Sequence, residues 1–465
     1  MAGSFASINT ALTALRYQQT ALDIASTNVA NVGTDGYVRR RVVGETLGVA
    51  SAPARWSRST ETSSGVQATR VDRMTDVLLD SRMRREHGRQ SYLDGVSGAL
   101  ARIETGLAEP GPSGVAAALA DFRGTLADLG NAPGSDAARS QALGAAATLV
   151  DAVKLQSAHL GDEAADQRSH LVVVVNEVNA VSKQLAATNR TISAALNGSS
   201  DTTSLMDERD ALALRLSELT GAKATVQDDG SMSVELNGTA LVAGFDAKEL
   251  VVTGGVDSDG SALPTPIGFA AKDTATGTQV AVAGDLGGDL GATVHVLRDE
   301  LPAYVAGLAG VVKDLVNAVN DAHRAGYKAS GVPGGDLFKF TDPDLSTFDV
   351  LITDVKDLAV SKVAGPSNDG NNAAALAQAV KVDDQYQQLV NGFGSKVASA
   401  QQLAKNQQAL TDQVDSAREQ MAGVSLDEET VNMLSAQRAY EAAARVMTTL
   451  DSVLDTLINR TGLVR

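Results

Sequence analysis

Large apolar side chains recur at alternating steps of three and four over much of this chain, the spacing that gathers them on one face of a helix. Near the C-terminal end Met433, Ala436, Tyr440, Ala443, Met447, Leu450, Leu454 and Leu457 make such a stripe, with Gln437, Arg438, Glu441, Arg445 and Asp451 off it. Phe5, Ile8, Leu12, Leu15, Leu22 and Val29 make a second, so helices are expected over 4–29 and 433–464. Both stripes are heptad seams. Neither is self-sufficient: burying a large apolar side chain yields about 1.5–3 kcal/mol, whereas ordering backbone costs about 1–2 kcal/mol per residue. Partner helices are required.

Between the ends the helical period returns several times. Val77, Leu78, Met83, Tyr92, Leu93, Val96, Leu100, Ile103 and Leu107 predict a helix that Pro110-Gly111-Pro112 ends, and a shorter one is expected over 115–129. Ser135 or Asp136 is placed to cap a long helix whose seam is Leu171, Val174, Val178, Val181, Leu185, Thr188, Ile192 and Ala195. A helix over 205–219 follows. From Thr225 the period shifts to two, in runs such as 231–236 and 250–253, punctuated by Asp229-Gly230 and Asn237-Gly238 turns that favour hairpins. Pro302 suits the first turn of the next helix, which carries Leu308, Val311, Val312, Leu315, Val316 and Val319 and ends near His323, read as a C-terminal cation. Short strands are expected up to Asn371. A long helix then presents Tyr386, Leu389, Phe393, Ala400, Leu403, Leu410, Val414, Ala417 and Met421, and Ser425 with Glu428 makes a capping box for the last one.

Length sharpens this picture. A chain of 465 residues exceeds the roughly 250–300 that one core supports. The expected fold is mainly α: a discontinuous terminal coiled-coil domain (1–44 plus 425–465), a long-helix bundle domain (45–224 plus 285–424) and an inserted small β-rich domain (225–284). Aromatics are only 3% of residues, so Ala, Val and Leu must fill closely packed helical cores. A formal net charge of -17, from 56 acidic against 39 basic residues, argues against a nucleic-acid partner. The absence of cysteine rules out disulfides and thiolate chemistry. No run is apolar enough for membrane insertion, and 1–31 lacks the pattern of a cleaved leader.

Candidate chemistry is thin. Asp207, Glu208, Arg209 and Asp210 read as a solvated, ion-paired helix face, since consecutive helical positions diverge. Asp257-Ser258-Asp259-Gly260 lacks the closing Glu of a calcium loop and reads as a turn. The glycines of 284–291 lack the Gly-Lys-Ser/Thr ending of a phosphate loop. His87, His159, His170, His295 and His323 form no His-Glu-x-x-His motif, and no Gly-x-Ser-x-Gly occurs. No catalytic residue, cofactor or metal is expected, and Arg39, Arg40 and Arg41 read as a solvated face.

One stretch is more specific. Asn28, Asn31, Thr34, Gly36, Tyr37 and Arg39 stand in Asn-Val-Ala-Asn followed by Thr-x-Gly-Tyr-x-Arg, within ALDIASTNVANVGTDGYVRR. This run resembles the N-terminal signature of axial flagellar proteins (rod, hook and hook-associated), and LSAQRAYEAAARVMTTLDSVLDTLINR, from Leu434 to Arg460, resembles that group's closing helix. Further signatures sharpen the resemblance to the hook-associated protein 1 family of hook–filament junction proteins: Ser204 to Asp210, Leu286-Gly287-Gly288-Asp289-Leu290-Gly291, Arg298 to Tyr304, Asn317 through Asn320, His323 to Tyr327, and Gly365 to Ala373. The resemblance implies a non-enzymatic structural component, exported uncleaved into the extracellular flagellum, that polymerises by coiled-coil packing of its two terminal helices. Implied partners are further copies of itself, the hook protein, the next hook-associated protein, the flagellar export apparatus and an export chaperone. The alternatives are another axial (rod or hook) protein, or a surface adhesin binding through the β-rich part.

Overall fold

The computed structural model describes residues 2–47, 65–198, 200–365 and 367–456; Leu457, the last residue of the C-terminal stripe, lies outside these. The fold is mainly α, with small antiparallel sheets. Helix α1 (Ala2–Ala30) leads into a hairpin of β1 (Arg40–Thr46) and β2 (Val66–Arg73). Then come α2 (Val77–Leu107), α3 (Val115–Asn131), α4 (Asp136–Asn197) and α5 (Thr203–Thr220). Strands β3 (Lys223–Val226), β4 (Met232–Leu236), β5 (Thr239–Ala243) and β6 (Asp246–Ala247) form one sheet in that order; β7 (Glu249–Gly254), β8 (Gly268–Lys272) and β9 (Gln279–Ala281) form another. Helix returns in α6 (Gly288–His295) and α7 (Leu301–Arg324). A hairpin of β10 (Phe338–Thr341) and β11 (Asp344–Val350) precedes α8 (Asn371–Ala379), α9 (Asp383–Ala422) and α10 (Leu426–Asp455).

Local chemistry sets most of these limits. Asp76 caps α2 by accepting from the amides of Leu78 and Leu79; Ser135 caps α4 through Ala138, and Ser425 caps α10 through Glu428. Asn237 (φ 47°) and Gly238 (φ 83°) make the left-handed turn between β4 and β5, the conformation an Asn-Gly pair adopts at least cost. Pro302 stands in the first turn of α7, as its sequence context predicts, but that helix has no free start. The backbone is already helical from Gly288, and a π turn over Val296–Glu300, in which Leu301 donates to the Val296 carbonyl, carries the helix into the proline, whose missing N–H would break an α ladder.

Three apolar cores share α4. Its N-terminal third (Ala142, Ala146, Leu149, Val153) packs with Leu119, Phe122 and Leu126 of α3, with α7, α8 and the β10–β11 hairpin. Leu160 joins Ile103, Tyr304 and Phe393 in the second core. Leu171, Val174, Val178 and Leu185, four of the expected seam residues, are covered by α5 and by Met232, Val234, Leu241, Leu250 and Phe269 of the two sheets. Asn179 and Asn189 of α4 fix those sheets. Each side-chain amide accepts from and donates to the backbone of one strand residue, Leu250 (2.7 and 3.0 Å) and Met232 (3.0 and 2.8 Å). The β-rich segment and α4 are thus built around common side chains.

Two expected helix faces differ. In α9, Leu403, Leu410 and Met421 are exposed, while Val397, Ala400, Ala404, Gln407, Thr411 and Val414 form the buried line. The reason is close approach to α2, which selects small residues and lets Gln407 donate to Glu86 at 3.0 Å. His323 is not a solvated helix-end cation. It is fully buried, its Nδ1 2.6 Å from the Gly335 carbonyl and its Nε2 accepting from the Ala359 amide, and burial pushes its pKa down. The neutral ring is a strut between the end of α7 and two loops.

Candidate assembly site

The two terminal stripes meet: α1 packs along α10. The innermost positions are small, with Ala11, Ala25 and Ala436 buried. Close approach of two helices puts alanine on the contact line and displaces larger neighbours to its flanks. Ile8, Leu15, Leu22, Val29, Met433, Met447, Leu450 and Leu454 are accordingly half-buried, and Leu12 and Tyr440 stand exposed. Phe5 lies on α1, but its side chain falls outside the described residues. Apolar side chains also point away from the pair, among them Val431, Leu434, Val446 and Val453 of α10. A single chain leaves this seam half covered.

At the base of the pair the asparagine-rich turn is a built junction. Buried Asn28 uses its whole side-chain amide: Oδ1 accepts from the Tyr37 hydroxyl (2.8 Å) and the Arg40 amide (3.0 Å), while Nδ2 donates to the Arg40 carbonyl (2.9 Å) and to Glu429 (3.0 Å). Asn31 donates to the Thr27 carbonyl and accepts from the Thr34 hydroxyl, closing the helix end, and Gly36 supplies a left-handed φ of 78°. Tyr37 takes the Arg40 guanidinium over its ring at 5.0 Å, and burial pushes the phenol pKa up. Arg39 reaches across the chain to Glu428 (2.8 Å) and Glu429 (2.7 Å) in the first turn of α10. Carboxylates there also suit the helix N-terminus. All six turn residues fall in one place.

The solvated reading of Arg39 and Arg40 does not hold. Arg40 is buried beneath the junction and reaches Ser204 (2.9 Å) and Asp207 (3.2 Å) of α5; Arg41 alone faces solvent. Arg73 of β2 meets Asp207 and Asp210 at 2.7 Å each, and Arg209 grips Asp210 and the Gly230 carbonyl. The Asp207–Asp210 helix face is therefore ion-paired but not solvated. Positions 207 and 210 share a face at i, i+3, and burial outweighs the facing guanidiniums to push the Asp207 carboxyl up. Glu429 and Arg73 escaped recognition, and Asp207 reads as surface charge, because nothing in a single sequence distinguishes a buried ion pair from a surface one. Their signal was the excess of arginine in a strand pair otherwise free to expose valine.

Among the described residues no group of three or more His, Cys, Asp or Glu side chains converges to hold a metal, and no helix is long and apolar enough to cross a membrane. Asp257 to Gly260 is a turn, with Asp259 accepting from Ser261.

Comparison with known proteins places these features in context. The family model of the flagellar hook-associated protein FlgK helical domain matches residues 100–338. Those of the flagella basal body rod protein and of the flagellar basal body rod FlgEFG protein C-terminal region match residues 8–37 and 417–460. Flagellar hook-associated protein 1 of Bacillus subtilis (strain 168) is 28% identical over 503 residues, spanning 99% of each chain. Its namesake in Escherichia coli (strain K12) is 23% identical over 551 residues, spanning 97% of this chain and 99% of that one. The solved flagellar hook junction protein FlgK from Burkholderia pseudomallei shares the fold, with a TM-score of 0.64 at 16% identity over 73% of this chain and 99% of its own.

Proposed function

From the premise that this chain belongs to the family defined by the flagellar hook-associated protein FlgK helical domain, we propose how its ends do their work. The protein is a structural component of the bacterial flagellum at the hook–filament junction, and it self-associates in the axial structure. The terminal pair α1–α10 is the polymerising element. The observation that carries this reading is the half-covered seam: Leu12, Tyr440, Val446 and Val453 remain exposed on a helix pair that is otherwise anchored firmly to its own chain. In a tube of like subunits each pair completes its neighbour's cover, and a heterologous contact repeated around an axis produces such a tube.

Each part then has its place. Residues 1–44 with 425–465 make the inner tube, 45–224 with 285–424 the surrounding helical body, and 225–284 the outward β-rich part. The Asn28–Arg40–Asp207 junction sets the angle between tube and body. The chain is secreted uncleaved through the flagellar export apparatus, with an export chaperone holding the apolar ends. Outside the cell it stands between the hook protein and the next hook-associated protein, and it catalyses nothing.

Electron microscopy of a strain lacking this chain tests the reading: hooks without filaments are expected, with flagellin released into the medium. Complementation with Leu454→Asp should export normally yet bear no filaments, because a carboxylate on the closed seam costs several kcal/mol in every subunit. Wild-type filaments from that variant would remove the seam from the mechanism.

A further inference from the structure

A second site lies well away from the terminal pair. Between α2, the end of α5 and the start of α6 is a cleft of about 610 Å³, lined by Arg84, Arg85, Arg89, Tyr92, Lys223 and, on the acidic side, Asp285. Its size is that of a ligand site. Three glycines bring the walls together: a Cβ on Gly88 would meet the Ser217 carbonyl at 2.6 Å, and one on Gly221 (φ 70°) would meet Gly287 Cα at 2.7 Å. Four cations converge here in a chain of net charge -17, and Asp285, the one acid, is held by Arg298. Such a concentration of like charge costs stability in the free chain.

Arg84 is the most telling. It is only 5% exposed, yet among the described residues it makes no hydrogen bond and no ion pair. The other buried guanidiniums are all engaged directly, Arg40, Arg73 and Arg209 by carboxylates and Arg139 by the Pro133 and Leu358 carbonyls. Asp210 and Asp80 attract Arg84 without touching it, and a buried cation with no direct partner carries a desolvation cost that an arriving carboxylate offsets. Arg84 also borders a neighbouring cleft of about 840 Å³, but Asp72, Asp80, Asp201 and Asp210 line that one, so an anionic guest reaches Arg84 from the basic side.

We propose that this cleft receives a carboxylate-bearing turn of a neighbouring copy of this chain, with Arg84, Arg89 and Lys223 as its recognition groups. The inference rests on the axial-assembly reading. Charge complementarity identifies the occupant: the same chain displays exposed acidic turns at Asp228-Asp229, Asp257-Ser258-Asp259 and Asp342-Pro343-Asp344. In a repeating assembly one cleft per copy is matched by one turn per copy, so every Arg84 acquires its missing partner. Arg84 supplies a fixed, pre-desolvated cation; the exposed Arg89 and Lys223 steer the turn in, an attraction that salt weakens.

The test uses the full chain in flagella, with Tyr92, at the cleft wall, replaced by a photo-crosslinking phenylalanine analogue. Illumination of isolated flagella should give a homotypic adduct whose cross-linked peptide carries one of the acidic turns. Adding Arg89→Glu should lower adduct yield at least tenfold while the monomer, altered only at an exposed position, keeps its melting temperature. Arg84→Gln should do the same, and Arg89→Glu keeps the test decisive if that variant folds poorly. The chain present in flagella without a homotypic adduct, or cross-linked to a different flagellar protein, would overturn the proposal and leave the axial reading standing. Absence of the chain from flagella would strike both. A rise in monomer melting temperature with inorganic phosphate, lost in Arg84→Gln and unaccompanied by any adduct, would make this a small-anion site and also overturn it.

Discussion

Two helical regions of this molecule use the same kinds of residue and finish differently. Around the first third of α4, Leu119, Phe122, Leu126, Leu149 and Leu315 are essentially sealed, and aromatic edges close the remaining gaps, as where Phe122 meets Phe338 at 5.7 Å. Along α1 and α10 the sealed apolar residues are alanines, and the leucines and methionines stay half-exposed. Periodicity is equal in both. What differs is the number of elements brought against each face: four around α4, one against α10. An amphipathic stripe therefore reports that cover is needed, and only the packing reports whether the chain supplies it.

The comparison can be broken most forcefully at the shared core. Replacing 227–282 by a short glycine–serine linker should uncover Leu171, Val174, Val178 and Leu185 together, each worth about 1.5–3 kcal/mol when buried. The expected outcome is loss of cooperative melting in α4 and α5, read by circular dichroism; unchanged helical content and melting would show the sheets to be decoration. Next in size is a matched pair of truncations. Phe122→Ala should cost about 3–5 kcal/mol, whereas Leu454→Ala, on the open seam, should cost the monomer less than about 1 kcal/mol, both by denaturant melts. Equal losses would erase the distinction drawn here.

Smaller again is Asn28→Ala. It orphans the Arg40 backbone and frees the Tyr37 hydroxyl, at about 1–3 kcal/mol, and should appear as faster hydrogen exchange in α1 with α4 unaffected. The smallest effect concerns pH. His87 joins three helices, with Nδ1 3.5 Å from Glu218 of α5 and Nε2 3.0 Å from Asp415 of α9. Glu218 first, then Asp415, raises its pKa in the folded chain above the unfolded value of about 6.5. The clamp's stability is thus fully present below that pH and is lost as pH rises through the folded value. His87→Ala should remove up to about 1 kcal/mol at pH 5.5 and nearly nothing at pH 9; an equal loss at both would assign His87 a packing role.

Most helix limits were legible because proline, glycine and capping side chains mark them chemically. The seam of α4 was legible because its covers are thick and its leucines large. That of α9 was misread at Leu403, Leu410 and Met421, since heptad counting follows bulk, whereas the tight α2–α9 contact selected Ala400, Ala404 and Thr411. The junction was half legible. Asn28, Tyr37 and Arg39 stood out through a resemblance, but their acceptor Glu429 and the buried Arg40–Asp207–Arg73 chain lie 130 to 400 positions apart in partnership with residues that look like surface charge. Asn28, Asn179, Asn189 and Asn320 each hold both polar groups of a strand backbone, and sequence gives no sign of which asparagines do so.

Helix α4 has one more consequence, and it is mechanical. Its 62 residues extend about 93 Å at 1.5 Å per residue, and three separate cores are threaded on that one unbroken rod. Load applied at either end travels along hydrogen bonds parallel to the axis, with no loop on the way to act as a hinge. A subunit that carries load along its length must do so without winding up. A shaft of this kind does so, and the compliance such a subunit needs is left to the thin polar junction at Asn28.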